Sequence, residues 1–224
     1  MAIYITGDTH GVQERILEIE KQTGIGSGDY LLVCGDFGYL MLNDLNENYF
    51  LNDLSSREYT ILFVDGNHEC FPAIFSYKKE LWNGGYVHEI RKNIFHLMRG
   101  QIYTIEGKSF FTLGGAYSID RYMRKLGYSY WEEEMVSDSE YKEAIKNLTA
   151  HNNKVDYIIT HTAPREIIMR MGKNPDLHDM ELTGFLEYLM YEIDFNHWYC
   201  GHWHMDKEIT DKFTALFFDY RVIG

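Results

Sequence analysis

The sequence predicts an α/β domain in which short, fully covered strands alternate with amphipathic helices. Two observations predict it. Five apolar runs (residues 2–6, 30–34, 60–64, 155–160 and 197–200) have the length and continuity of strands buried on both faces, as in a parallel sheet. Segments with helical periodicity lie between several of them.

Between the first two runs, Val12, Ile16 and Ile19 recur at helical spacing, Glu14, Arg15, Glu18 and Lys21 fill the polar face, and Gly24 closes the segment. This is the pattern of a β-α-β unit. Ser137 and Glu140 stand at capping-box spacing, and Tyr141, Ala144, Ile145 and Leu148 follow as one apolar stripe into the fourth run. Leu182, Phe185, Leu186, Leu189 and Ile193 form a similar stripe before the fifth. The middle of the chain differs. Residues 86–90, 94–97, 101–105 and 109–113 are closely spaced strand-like runs, with Glu106-Gly107-Lys108 as a hairpin turn, and residues 207–220 read the same way. A second, more antiparallel sheet packed on the first, with helices outside both, is the expected arrangement.

With 224 residues, 45% hydrophobic and 16% aromatic, the chain suits one well-cored domain over 1–224, and no repeat or Pro/Gly/Ser-rich linker divides it. A net charge of -13 without a basic block disfavours an extended nucleic-acid surface. Three cysteines, Cys34, Cys70 and Cys200, lack the spacing of a disulfide framework or a thiolate metal site. The opening residues are too short an apolar run for a signal peptide, and no run is long enough to span a bilayer, so the expected setting is the reducing cytoplasm, away from membranes.

Each core run ends in a small residue followed by a metal-competent one: Thr6-Gly7-Asp8-Thr9-His10, Cys34-Gly35-Asp36, Gly66-Asn67-His68, Thr160-His161 and Gly201-His202-Trp203-His204. In open α/β sheets the loops at the carboxyl ends of the strands converge, so these side chains are expected to meet. Imidazole, carboxylate and amide oxygen without thiolate suit an open, catalytic site for a borderline divalent metal. Taken singly each motif has a bland reading: Gly-Asp is a common turn, Asn67 an Asx-turn residue, His161 a hydrogen-bonded core histidine. Five of them at five strand ends outweigh those readings together.

In this order GDTHG, GD at 35–36, GNHE, TH at 160–161 and GHWH resemble the calcineurin-like metallophosphoesterases over residues 7–204. The resemblance implies a four-layer α/β/β/α sandwich, two packed mixed sheets flanked by helices, carrying two divalent ions. Mn or Fe is expected, with Ni, Zn or Mg as alternatives. It implies Asp8, His10 and His204 on one metal, Asn67, His161 and His202 on the other, and Asp36 bridging. His68 would protonate the leaving oxygen or stabilise phosphoryl charge, or else only orient Asn67. The implied reaction is hydrolysis of a phosphomonoester or phosphodiester, small or nucleotide-like, by metal-activated water. A non-catalytic interaction scaffold of the same fold is the alternative.

The Arg of the GDxxDRG motif found in protein phosphatases of this superfamily is missing after Asp36, which weakens a phosphoprotein substrate. An insertion at 114–134 is read as a substrate-selecting element. Arg121 and Arg124 are candidates for a phosphate contact, weighed against ion pairs with Asp120 or Glu132 to Glu134, and Tyr117, Tyr122 and Trp131 for stacking, weighed against packing onto the body. Tyr39 is a weaker candidate for the cleft. Asp65 and Glu69 are read as a turn residue and a solvated residue. The sequence also admits a homodimer.

Overall fold

The computed structural model describes residues 1–224. Its first strand, β1 (Ile3–Thr6), leads through α1 (Gln13–Thr23) to β2 (Tyr30–Val33), and α2 (Leu45–Leu54) leads on to β3 (Thr60–Phe63). After α3 (Phe71–Ser76) come β4 (Lys79–Trp82), β5 (Gly85–Arg91), β6 (Ile94–Leu97), β7 (Gln101–Ile105) and β8 (Lys108–Leu113). The remaining elements are α4 (Asp138–Ala150), β9 (Tyr157–Thr160), α5 (Arg165–Arg170), α6 (Met180–Glu192), β10 (His197–Cys200), β11 (Lys207–Thr210), β12 (Phe213–Ala215) and β13 (Tyr220–Ile223).

The strands form two mixed sheets. One has seven strands in the order β13-β1-β2-β3-β6-β5-β4, and the other has six in the order β11-β12-β10-β9-β8-β7. Three buried layers of side chains follow from strand alternation. Leu31, Val33, Ile61 and Phe63 face out beneath Ile16 and Ile19 of α1 and Leu51 and Leu54 of α2. Ile3, Ile5, Leu32 and Leu62 face inward, against Phe110, Ile159 and Tyr199 of the other sheet. Ile158 and Trp198 face out on that sheet, under Ala144 and Leu148 of α4 and Leu182, Leu186 and Leu189 of α6. This is the four-layer α/β/β/α order.

The five apolar runs do not share one sheet. Parallel β1, β2 and β3 centre the first sheet, and parallel β9 and β10 centre the second. Nor is the second sheet the more antiparallel one: each has a parallel centre and antiparallel edges, because β5 and β6 extend the first sheet while β7 and β8 extend the second. Run length reports that a strand is covered on both faces, and that holds equally in either sheet.

Local readings held where the chemistry is local. Gly24 ends α1 in the left-handed conformation (φ 66°), its N–H donating to the Glu20 carbonyl. The β7–β8 hairpin turns on Glu106 and Gly107 with φ of 51° and 74°, as a two-residue type I′ turn requires. Val12, however, is the N-cap of α1 and is exposed rather than part of its buried stripe. Helix α2 escaped notice because only Leu51 and Leu54 are buried on it. Its signal was the cap: Asp44 accepts the Glu47 N–H at 2.9 Å.

Register matters most for function. Thr6 pairs with Val33 and Val33 with Phe63, while Leu113, Thr160, Cys200 and Ala215 pair in turn across the second sheet. The parallel strands of each sheet therefore end level, and the loops that follow leave from one rim.

In α4 the capping box is complete: Glu140 N–H donates to Ser137 Oγ, and Ser137 N–H donates to Glu140 Oε2 at 2.7 Å. Ser137→Ala should cost about 1 kcal/mol in urea unfolding, with Glu140→Ala costing about as much or more, since both break the same reciprocal pair.

Candidate metal centre at the rim of two sheets

All seven donor positions meet at this rim. Asp8, Asp36 and Asn67 follow β1, β2 and β3 of one sheet, whereas His161, His202 and His204 follow β9 and β10 of the other. The Nε2 atoms of His10 and His204 lie 3.0 Å apart, and Asp8 Oδ2 is 3.2 Å from His204 Nε2 and 3.7 Å from that of His10. Asp36 divides its carboxylate: Oδ2 is 3.9 Å from His10 Nε2 and Oδ1 is 3.5 Å from His161 Nε2. Asn67 Oδ1 lies 3.1 Å from the same His161 nitrogen. The His202 ring is 4.9 Å from that of His161, and the His202 N–H donates to Asp8 Oδ1 at 2.9 Å.

The backbone is bent to make this possible. His10, Asp36, His202 and His204 have positive φ (49°, 45°, 64° and 47°), each costing on the order of 1–2 kcal/mol for a residue with a side chain. Two glycines permit the close approach. A Cβ on Gly66 would stand 2.0 Å from Asp36 Oδ1, and one on Gly201 2.1 Å from Asp8 Oδ1.

Asp8, Asp36 and His161 are buried, and no lysine or arginine is ion-paired to either carboxylate. Burial pushes the Asp36 carboxyl up, but His161, His68 and His10 together bring it down to about 2. Burial also lowers His161, and Asp36 and Asp8 outweigh it and raise the imidazole. In His202, burial and the neighbouring His161 drive the pKa to about 3, so its ring is neutral near pH 7, as a metal ligand must be.

The donor set fits divalent metal ions. Asp8, His10 and His204 form one group whose ligand atoms lie within 4.8 Å of one another, and Asp8, Asp36 and His161 form a second. The tautomer of His161 adds a sharper test. Its Nδ1 is 2.9 Å from the Cys34 carbonyl, which can only accept, so a neutral ring turns its Nε2 lone pair towards Asn67 Oδ1. Two acceptors facing each other at that distance call for a cation between them, a proton or a metal.

His68 follows Asn67, its N–H donating to Asp36 Oδ1 at 2.8 Å and its ring 5.4 Å from that of His10. Arg124 reaches it, with a terminal guanidinium nitrogen against both ring nitrogens, 3.0 Å from Nε2, and its Nε donating to Asp120 at 2.9 Å. Burial lowers the His68 pKa, Asp36 opposes this, and Arg124 and His10 add to it. Arg121 lies elsewhere: its Nε donates to buried Glu134 at 2.7 Å and its guanidinium covers the Tyr117 ring, so the ion-pair alternative is the arrangement found. Trp131 packs onto Cys70, Phe71 and Ala73, Tyr122 is exposed, and Tyr39 is buried beside Phe37.

Beyond the donors a cleft of about 750 Å³ runs past His68, walled by Tyr117, Ile119, Lys173, Asp176, Asp179 and Trp203. Sequence reasoning named neither Lys173 nor Asp179. Asp179 is buried, its pKa raised to about 6 chiefly by burial, and it accepts the Tyr117 N–H at 2.8 Å.

Two readings need correction. Asp65 is no mere turn residue: it is buried, Arg99 donates to its Oδ2 at 2.9 and 2.6 Å, and His96 Nε2 lies 3.0 Å from Oδ1. Burial raises that carboxyl, but Arg99 and His96 hold it well below the usual carboxylate range. Glu69 is fully buried rather than solvated, accepting the Phe37 N–H at 2.7 Å, and burial pushes its pKa well up. Both partners lie about thirty positions away in sequence or more, beyond the reach of local pattern.

Arg99→Met should cost about 3–5 kcal/mol in denaturant unfolding at pH 7, because it strands a buried carboxylate. A depressed folded pKa stabilises fully above the unfolded value and is lost as pH falls through the folded one, so the wild type's advantage should shrink below about pH 4. A pH-independent gap would sink this account.

The profile of the calcineurin-like phosphoesterase family matches residues 1–206 of the 224. A comparison with curated proteins finds no match.

Proposed function

The chain belongs to the calcineurin-like phosphoesterase family, and on that premise we propose that it is a dinuclear metal-dependent hydrolase of small phosphate esters, nucleotide-like in size. The observation that carries the reading is the division of the Asp36 carboxylate, one oxygen towards His10 and the other towards His161. In this reading Asp8, His10 and His204 would hold one ion, Asn67, His161 and His202 would hold the other, and Asp36 would serve both.

Bound divalent ions supply Lewis acidity towards phosphoryl oxygens and make water acidic enough to attack phosphorus near neutral pH. Asp8 and Asp36 bring two negative charges against four positive ones, leaving a cationic spot that can hold phosphate on a protein of net charge -13. His68 donates a proton or an N–H hydrogen bond to the leaving oxygen. Its backbone is held by Asp36, and it sits at the boundary between the donors and the cleft. Arg124, already against His68, stands where it can turn to a phosphate oxygen. The cleft volume falls in the usual range for a small-molecule site and suits a leaving group of nucleoside size better than a polymer. Mn or Fe fits the mixed nitrogen and oxygen donors, with Ni, Zn or Mg as alternatives.

Stripping metal with a chelator should abolish hydrolysis of chromogenic mono- and diester phosphates, and Mn should restore it. No turnover with Mn, Ni, Fe or Mg, together with no bound metal by elemental analysis, would instead favour a scaffold. His68→Ala should retain both ions by elemental analysis and lose about 10²–10⁴-fold in kcat; unchanged turnover would remove His68 from the chemistry.

A further inference from the structure

Asn67 is a proposed ligand whose competence depends on which way up it lies. Its amide ends in an oxygen that attracts cations and a nitrogen that cannot bind them, and rotation by half a turn exchanges the two. We infer that Ser118 and Glu134, buried residues of the 114–134 insertion, are positioning residues that lock the Asn67 oxygen towards His161 and so complete the second metal site. The inference rests on the dinuclear reading above.

The lock is a chain of hydrogen bonds whose direction is imposed by chemical type. Arg121 can only donate, and its Nε gives to Glu134 Oε1 at 2.7 Å. The Ser118 N–H gives to the same oxygen at 2.8 Å. Glu134 Oε2 then accepts the Ser118 hydroxyl proton at 2.9 Å. With its proton spent, Ser118 Oγ can only accept, and Asn67 Nδ2 donates to it at 3.1 Å. Asn67 must therefore turn its nitrogen to Ser118 and its oxygen to His161 Nε2. A flipped amide would place two oxygens together at Ser118, losing that buried bond, and would put an N–H where a cation belongs.

Burial makes the lock effective. Ser118 is 1% exposed, Glu134 0% and Asn67 4%, so water cannot readily substitute for any partner. Arg99 anchors the far end: it donates to the carbonyls of Glu133 and Met135 at 2.8 and 3.0 Å while gripping Asp65, two residues before Asn67. The insertion and the Asn67 loop are thus held to each other at both ends. Other members of the insertion, Tyr117, Ile119 and Asp120, wall the cleft, so one segment supports the metal site and shapes the substrate space.

The test is Mn titration of metal-stripped protein by calorimetry, with thermal unfolding as a check on the fold. Wild type should bind two ions. Ser118→Ala should keep one at wild-type affinity and bind the other about 10–100-fold more weakly, the usual loss when the partner of a ligand is removed. Glu134→Gln, which leaves an amide able to donate towards Ser118, should weaken the same ion. Asn67→Asp provides the decisive background, because a carboxylate offers oxygen whichever way it turns: there Ser118→Ala should change affinity no more than about threefold. Undiminished binding of both ions by Ser118→Ala, or an equal loss in the wild-type and Asn67→Asp backgrounds, would overturn the inference. Fewer than two ions on the wild type would overturn the dinuclear reading, and this inference with it.

Discussion

The packing of one parallel-centred sheet against another is the constraint on which everything else depends. Fifteen buried residues, among them Ile5, Leu32, Leu62, Phe110 and Ile159, fill the space between the sheets and exclude water from it. Because the central strands of each sheet end level, this core brings two rows of strand ends to one rim. Neither sheet holds the donor set alone. The join is sealed by polar contacts across the seam, His161 against the Cys34 carbonyl and the His202 N–H on Asp8, so the geometry of the centre is set by how the sheets dock.

Two kinds of buried carboxylate show how burial is turned to different ends. Asp65 has its cation built in: Arg99 and His96 neutralise it, and it serves the fold. Asp8 and Asp36 are as deeply buried but face only histidines, backbone N–H groups and each other. Leaving a charge so poorly compensated is costly, and the left-handed conformations of four nearby residues add to the cost. A divalent cation offsets both, which is the physical reason for reading the arrangement as a metal centre and not as a stray polar cluster.

The environment of the Asn67 loop explains which side-chain roles were misread. Asp65 and Glu69 each have a generic role in an isolated stretch of sequence. Each is instead committed to a particular partner: Arg99 and the Phe37 N–H. These commitments join positions 34 and 32 apart. No periodicity or turn propensity encodes them, since they arise only when separate loops are brought together in a space too small for water.

By itself the sequence determined the helices and strands with a strong local signal, the four-layer architecture through its resemblance, and the candidate donors that gather at the rim. The reason is that strand burial, capping and small-residue turns are properties of a few consecutive residues, and a donor atom is a property of one. Only the tertiary structure decided which strands share a sheet, which carboxylates carry their own cation, and which end of the Asn67 amide faces the centre. Those outcomes depend on distances between segments far apart in the chain, and such distances exist only once the inter-sheet core has formed.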